Sequence, residues 1–176
     1  MTDRPAPQFF DREASRYSSR PLPSARYLPG HTQRPERAVQ TDRLQISEDR
    51  QLAISETWSR SESYLYGVDL YNLGYWWECH EVFEALWHLA GRKTPPARFL
   101  QGLIQIAAGN LKRALGSEEA AQNLWRRGVE GLEPLKPVYM GIEIEPFAGD
   151  VRAYAERRRQ TPAVIRLQPL EGSAQS

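Results

Sequence analysis

One helix of this chain has little circumference left over for solvent. Advancing roughly 100° per residue around a helix from Tyr75, the side chains of Tyr75, Trp76, Cys79, Val82, Phe83, Leu86, Trp87, Leu89 and Ala90 cover more than half of the circle. A helix apolar over so wide an arc has to be packed on several sides, so the rest of the fold must be arranged around residues 75–90. The surrounding stretch, Tyr71 to His88, also holds three of the five Trp, two of the three His and the only Cys.

Glycine and proline punctuation divides what flanks this helix. Trp58, Leu65, Val68 and Tyr71 fall on one helical face and predict a helix from about Ser55 that stops at Asn72 to Gly74, where the backbone can turn left-handed. The central helix then runs from Tyr75 to Ala90 and closes at Gly91. Thr94-Pro95-Pro96 supplies an N-cap and an N1 proline for a third helix, ending near Leu115-Gly116. Ser117-Glu118-Glu119 opens a fourth, with Ala121, Leu124, Trp125 and Leu132 inward, and Pro134 and Pro137 stop it. After a short extended connection, Val138 to Glu145, a fifth helix starts near Pro146, with Phe147, Val151 and Tyr154 inward and Arg157 to Arg159 on a solvated end.

No strand pair and no repeat stand out, so the class is all-α, a compact bundle of about five helices. Residues 1–50 are rich in Pro and Arg, with apolar side chains scattered singly, and read as an extended, partly disordered arm. Within it, Met1 to Arg20 is expected to be disordered, while Tyr27 and Leu28 pin the Pro23 to Gly30 piece to the core. Residues 51–160 form the helical domain, and 161–176 a coil tail. At 176 residues and 40% hydrophobic, one domain is expected.

Charge narrows the partners. With 23 basic and 22 acidic side chains the net charge is +1, which gives no global field to draw in nucleic acid, so nucleic acid is not expected. The longest apolar run, Leu103 to Ala108, is interrupted by Gln105 and falls far short of the roughly 20 residues that span a bilayer, so no membrane partner is expected. Cys79 alone cannot close an intramolecular disulfide, and the first thirty residues hold no apolar run of signal-peptide length, so a cytoplasmic protein is expected.

The arc of the central helix left over from its apolar face carries Trp77, His80, Glu81, Glu84 and His88. His80, Glu84 and His88 repeat every four residues, which sets imidazole, carboxylate and imidazole on adjacent turns, within reach of a shared proton or divalent metal. An ordinary solvated face has the same pattern, although Trp77 has little use there. The run from His80 to Glu84 begins like H-E-x-x-H but ends in Glu, so it is not a zincin. Trp77 stands where a di-iron helix needs Glu before its His, although two copies of the chain in a homo-oligomer could assemble more ligands. On the third helix Gln101 and Gln105 lie a turn apart between glycines and could approach His80 or Glu84, and Asn110 sits amid apolar neighbours, where a buried amide needs partners. Cys79, on the apolar arc, reads as a small buried hydrophobe.

The segments Tyr71-Asn72-x-Gly74-x-Trp76-x-Glu78-x-His80-Glu81-x-x-Glu84-x-x-Trp87 and Phe99-Leu100-Gln101-Gly102-Leu103-Ile104-Gln105-x-Ala107-Ala108-Gly109 resemble the uncharacterised "domain of unknown function 309" family. The resemblance runs from about Ser61 to Arg157, more weakly through Arg26 to Gly30, and implies an all-helical fold in which the His-Glu helix packs on the Leu-Gln-Gly helix. Family members often carry an aromatic residue or His after Ala-Ala-Gly, where this chain has Asn110-Leu111. The resemblance implies no activity. The residues therefore give three readings: a polar cluster of His80, Glu81, Glu84, Gln101 and Gln105 that organises the core or binds a small ligand or metal; a hydrolase with His80 as general base oriented by Glu84; and an interaction module docking through its arm. The candidate catalytic residues are His80, Glu81 and Glu84; the candidate ligand-binding residues are Tyr71, Asn72, Trp77, Gln101 and Gln105; the candidate metal ligands are His80 and Glu84.

Overall fold

The computed structural model describes residues 15–34 and 54–169, so most of the arm and the last residues of the tail lie outside the described residues. Helix α1 (Ile54–Thr57) passes into a 3-10 turn (Trp58–Arg60), and α2 (Glu62–Asn72) begins only after Ser61. One continuous helix was expected from Ser55. It breaks because Ser61 adopts an extended backbone and its hydroxyl accepts the Tyr64 N–H at 3.2 Å, capping a new helix from within the periodic stretch. At the other end α2 stops where expected. Gly74, at φ 77°, lets its own N–H reach the Tyr71 carbonyl and the Tyr75 N–H reach that of Leu70, the paired bonds of a Schellman cap.

Helix α3 (Trp76–Ala90) follows, then α4 (Pro95–Ala114), α5 (Glu118–Leu132), a two-stranded hairpin of β1 (Val138–Tyr139) and β2 (Ile142–Glu143), and α6 (Ile144–Ala155). The class is all-α, as expected. The hairpin was not foreseen as a strand pair: Tyr139 pairs antiparallel with Ile142 across a turn in which Met140 (φ 44°) and Gly141 (φ 79°) are both left-handed. Ile142 is buried, which fixes this small ribbon to the core.

Each consecutive pair among α2, α3, α4, α5 and α6 packs together. The closest approach is between α4 and α5. A Cβ on Gly102 would lie 2.8 Å from Leu132 Cδ2, one on Gly128 would lie 2.9 Å from the Gly102 carbonyl oxygen, and one on Gly109 would run into the Trp125 ring at 2.6 Å. Arg113 ties three helices together at the far end. Its guanidinium donates to Glu118 and to the carbonyls of Tyr154 and Ala155, and lies over the Trp125 and Tyr154 rings. These bonds hold the Glu118 carboxyl down to about 2, with the ion pair adding to them.

Two segments expected to be peripheral are built into the core. The described part of the tail, residues 161–169, is coil, yet Ala163 and Ile165 are buried, and Asn72 both donates to and accepts from the Ile165 backbone at 2.8 Å. Residues 15–20, expected to be part of a disordered stretch, instead run over α2, where Asp69 is 1% exposed. Asp69 accepts the backbone N–H groups of Tyr17 and Ser18, the Ser18 hydroxyl and Arg16 Nε, all within 2.7–2.9 Å. A buried carboxylate with four donors is a strong local tether. Leu28 packs on the core as expected, and Tyr27 meets Trp77 edge-on at 5.0 Å.

Candidate functional site

The polar residues singled out on α3 and α4 face two different places. On the side facing the arm, Trp77 stacks on His80 with ring centroids 6.2 Å apart, while the Arg34 guanidinium lies over Trp77 and reaches Glu81 at 3.4 Å. An aromatic side chain inside the polar stripe therefore has a structural use: it is the face on which residues 27–34 rest. His80 Nδ1 and Glu84 Oε2 stand 3.9 Å apart, beyond hydrogen-bond range, and Nδ1 is buried without a hydrogen-bond partner. The orientation of His80 by Glu84 that general-base chemistry would use is not formed here. Among the described residues no three or more His, Cys, Asp or Glu side chains gather as a metal site would need.

Glu78, quoted in the family-like motif but given no role by the helical wheel, is the functional-type residue that the periodicity missed. It is 5% exposed, because the arm covers it, and Oε1 accepts the Tyr27 N–H at 2.7 Å while Oε2 is buried without a partner. Burial pushes its carboxyl above the usual carboxylate range. Glu78 and Asp69 each have apolar residues on both sides in the sequence, but that pattern alone does not distinguish a buried acid from one on a solvated face.

Tyr71 and Asn72 have their polar groups engaged in the fold. Asn72 holds Ile165, and the Tyr71 hydroxyl accepts Asn110 Nδ2 at 3.4 Å, while Asn110 Oδ1 accepts Trp125 Nε1 at 3.0 Å. Asn110 thus finds the partners that a buried amide requires. Burial pushes the Cys79 thiol well up, consistent with a packed hydrophobe and not a nucleophile.

Gln101 and Gln105 open onto the other place. They line a groove of about 770 Å³ with Trp87, Arg92, Lys93, Arg98 and Arg127, and neither His80 nor Glu84 takes part in it. The cluster of five polar residues read from the sequence is therefore two separate groups. Helix geometry explains the groove. Arg98, Gln101, Gly102 and Gln105 form one stripe of α4 at spacings of three, four and seven, facing Arg127, Glu130 and Gly131 of α5. Trp87 was expected in the core but is half-buried, because the last turn of α3 ends beside this opening. The turn after α3 carries Arg92 and Lys93 to its mouth through two left-handed residues, Gly91 (φ 81°) and Lys93 (φ 61°).

The electrostatics of the groove are one-sided. Four cations face a single carboxylate, Glu130, whose oxygens take Arg126 at 3.1 and 3.4 Å. Among the described residues Arg92, Lys93, Arg98 and Arg127 have no ion pair. A second cleft of about 1060 Å³ between the hairpin and the start of α4 is lined by Trp58, Pro95, Pro96, Pro134, Val138 and Tyr139, and lacks such a charge excess.

Residues 64–124, from α2 into α5, match the family model described as Domain of unknown function (DUF309). No curated protein matches the chain.

Proposed function

We propose that this chain, which carries the DUF309 domain over residues 64–124, is a small-ligand-binding protein whose ligand is anionic and sits in the groove between the end of α3, α4 and α5. The observation that carries the reading is the meeting in one concavity of four cations, Arg92, Lys93, Arg98 and Arg127, that have no ion pair among the described residues, in a chain whose net charge is only +1. The volume falls within the range of small-molecule sites, roughly 300–1,000 Å³. A cytoplasmic location accords with a sole, buried cysteine.

The hydrolase reading draws less support, since His80 and Glu84, 3.9 Å apart, form no hydrogen bond and share no opening with the amides. Thermal melts at low ionic strength with phosphate, pyrophosphate, tripolyphosphate and citrate test the proposal. At least one anion should raise the melting temperature of the parent and leave Arg98→Ser/Arg127→Ser unmoved, since a ligand that binds only the native state stabilises it by about 2.7 kcal/mol at a hundredfold excess over Kd. Equal shifts in parent and variant, or none in either, would remove the anion site.

A further inference from the structure

We infer that the ligand of this groove is a nucleoside phosphate, its base on Trp87, its base edge met by Gln101 and Gln105, and its phosphates held by the cations. The inference rests on the anion-binding reading above and adds the chemical class. A simple oxyanion is satisfied by guanidinium, ammonium and backbone N–H groups, and gains nothing from an indole or from amides that present acceptors as well as donors. Trp87 is half-buried, so its position is set by packing, with its ring tilted at 56° to that of His88 at a centroid distance of 4.9 Å. Such a ring is a stacking platform for a heteroaromatic base.

Gln101 and Gln105 lie one turn apart on α4, and a carboxamide pairs naturally with the donor-and-acceptor edge of adenine. Arg92 and Lys93 come from the turn before α4 and Arg127 from α5, so positive charge reaches the groove from both sides of the amide stripe. Concave shape and charge excess together favour a compact polyanion over a long strand.

Calorimetric titration at low salt of the full chain with ATP, with tripolyphosphate and with adenosine separates the two claims. ATP should bind at least tenfold more tightly than tripolyphosphate. Trp87→Leu and Gln101→Ala/Gln105→Ala should each bring ATP down to the affinity of tripolyphosphate, while tripolyphosphate binding stays unchanged and so reports that the variants remain folded. If tripolyphosphate binds the parent as tightly as ATP does, the nucleoside inference falls and the anion site stands. If neither binds, both fall. An oligoadenylate that binds more than tenfold tighter than ATP would overturn the inference in favour of a single strand, and its affinity would then fall steeply with salt.

Discussion

Glu78 sets a carboxyl group against its surroundings: one oxygen holds the arm through the Tyr27 N–H, and the other is buried with nothing to accept from. Its folded pKa stands above the unfolded value because burial disfavours the charged form. The folded protein therefore keeps this proton to higher pH than the unfolded chain does, and between the two values stability declines as pH rises. Glu78→Gln retains an acceptor for Tyr27 and cannot ionise, so it should melt at a higher temperature than the parent at pH 7 and show a flatter profile above the ordinary carboxylate range. A variant that melts lower at pH 7, with the parent's slope, would mean that the charge itself holds the arm. At this scale the sequence was legible for Asn110 and Cys79, because an amide and a thiol among apolar neighbours admit few environments. It was not legible for Glu78 or Asp69, since the groups that bury them lie more than 50 residues away.

Among the elements, α4 and α5 illustrate what periodicity does and does not show. Their boundaries follow from Thr94, the two prolines, Gly116 and the acidic first turn of α5, all local signals. Their separation is a pair property, set by Gly102 on one helix facing Gly128 and Leu132 on the other. Gly102→Ala gains a helix-favouring residue but drives a Cβ onto the backbone oxygen of Gly128 at 3.0 Å, which cannot move aside as a side-chain end could. The clash should prevail and cost about 1 to 3 kcal/mol in chemical denaturation. Unchanged stability would show that the helices can separate freely. The same pair logic explains the split of the polar cluster. Gln101 and Gln105 share a face with Arg98, but that face turns toward α5 and not toward the His80 side of α3, a choice that no single helix encodes. The break at Ser61 was missed because a capping serine inside an apolar period looks like one more tolerated polar residue.

For the molecule as a whole, the bundle and its order were readable from apolar arcs and glycine stops, while the domain's outer edges were not. Residues 15–20 lack any period, yet they lie on α2 through bonds to Asp69 that leave no hydropathy trace, and the short, mostly apolar run 163–167 is fixed to α2 by Asn72. Removing residues 1–20 should therefore destabilise the protein, contrary to what composition suggests. Losing the four donors to Asp69 costs about 2 to 3 kcal/mol once the freed carboxylate is solvated, a drop of roughly 5 to 10 °C in melting temperature. A truncated chain melting with the parent would show that the tether carries no weight.

The two outlying segments also meet each other, for the Tyr17 hydroxyl accepts the Leu167 N–H at 3.1 Å across 150 positions of sequence. For a flexible chain, closing a loop of that length costs about 4 kcal/mol of entropy beyond a constant, far more than one hydrogen bond returns. The contact forms only after the intervening helices have shortened the path between its ends. It belongs to the last stage of folding and the first of unfolding, so changes at Tyr17 act on how fast the molecule opens and leave the speed at which it folds almost untouched.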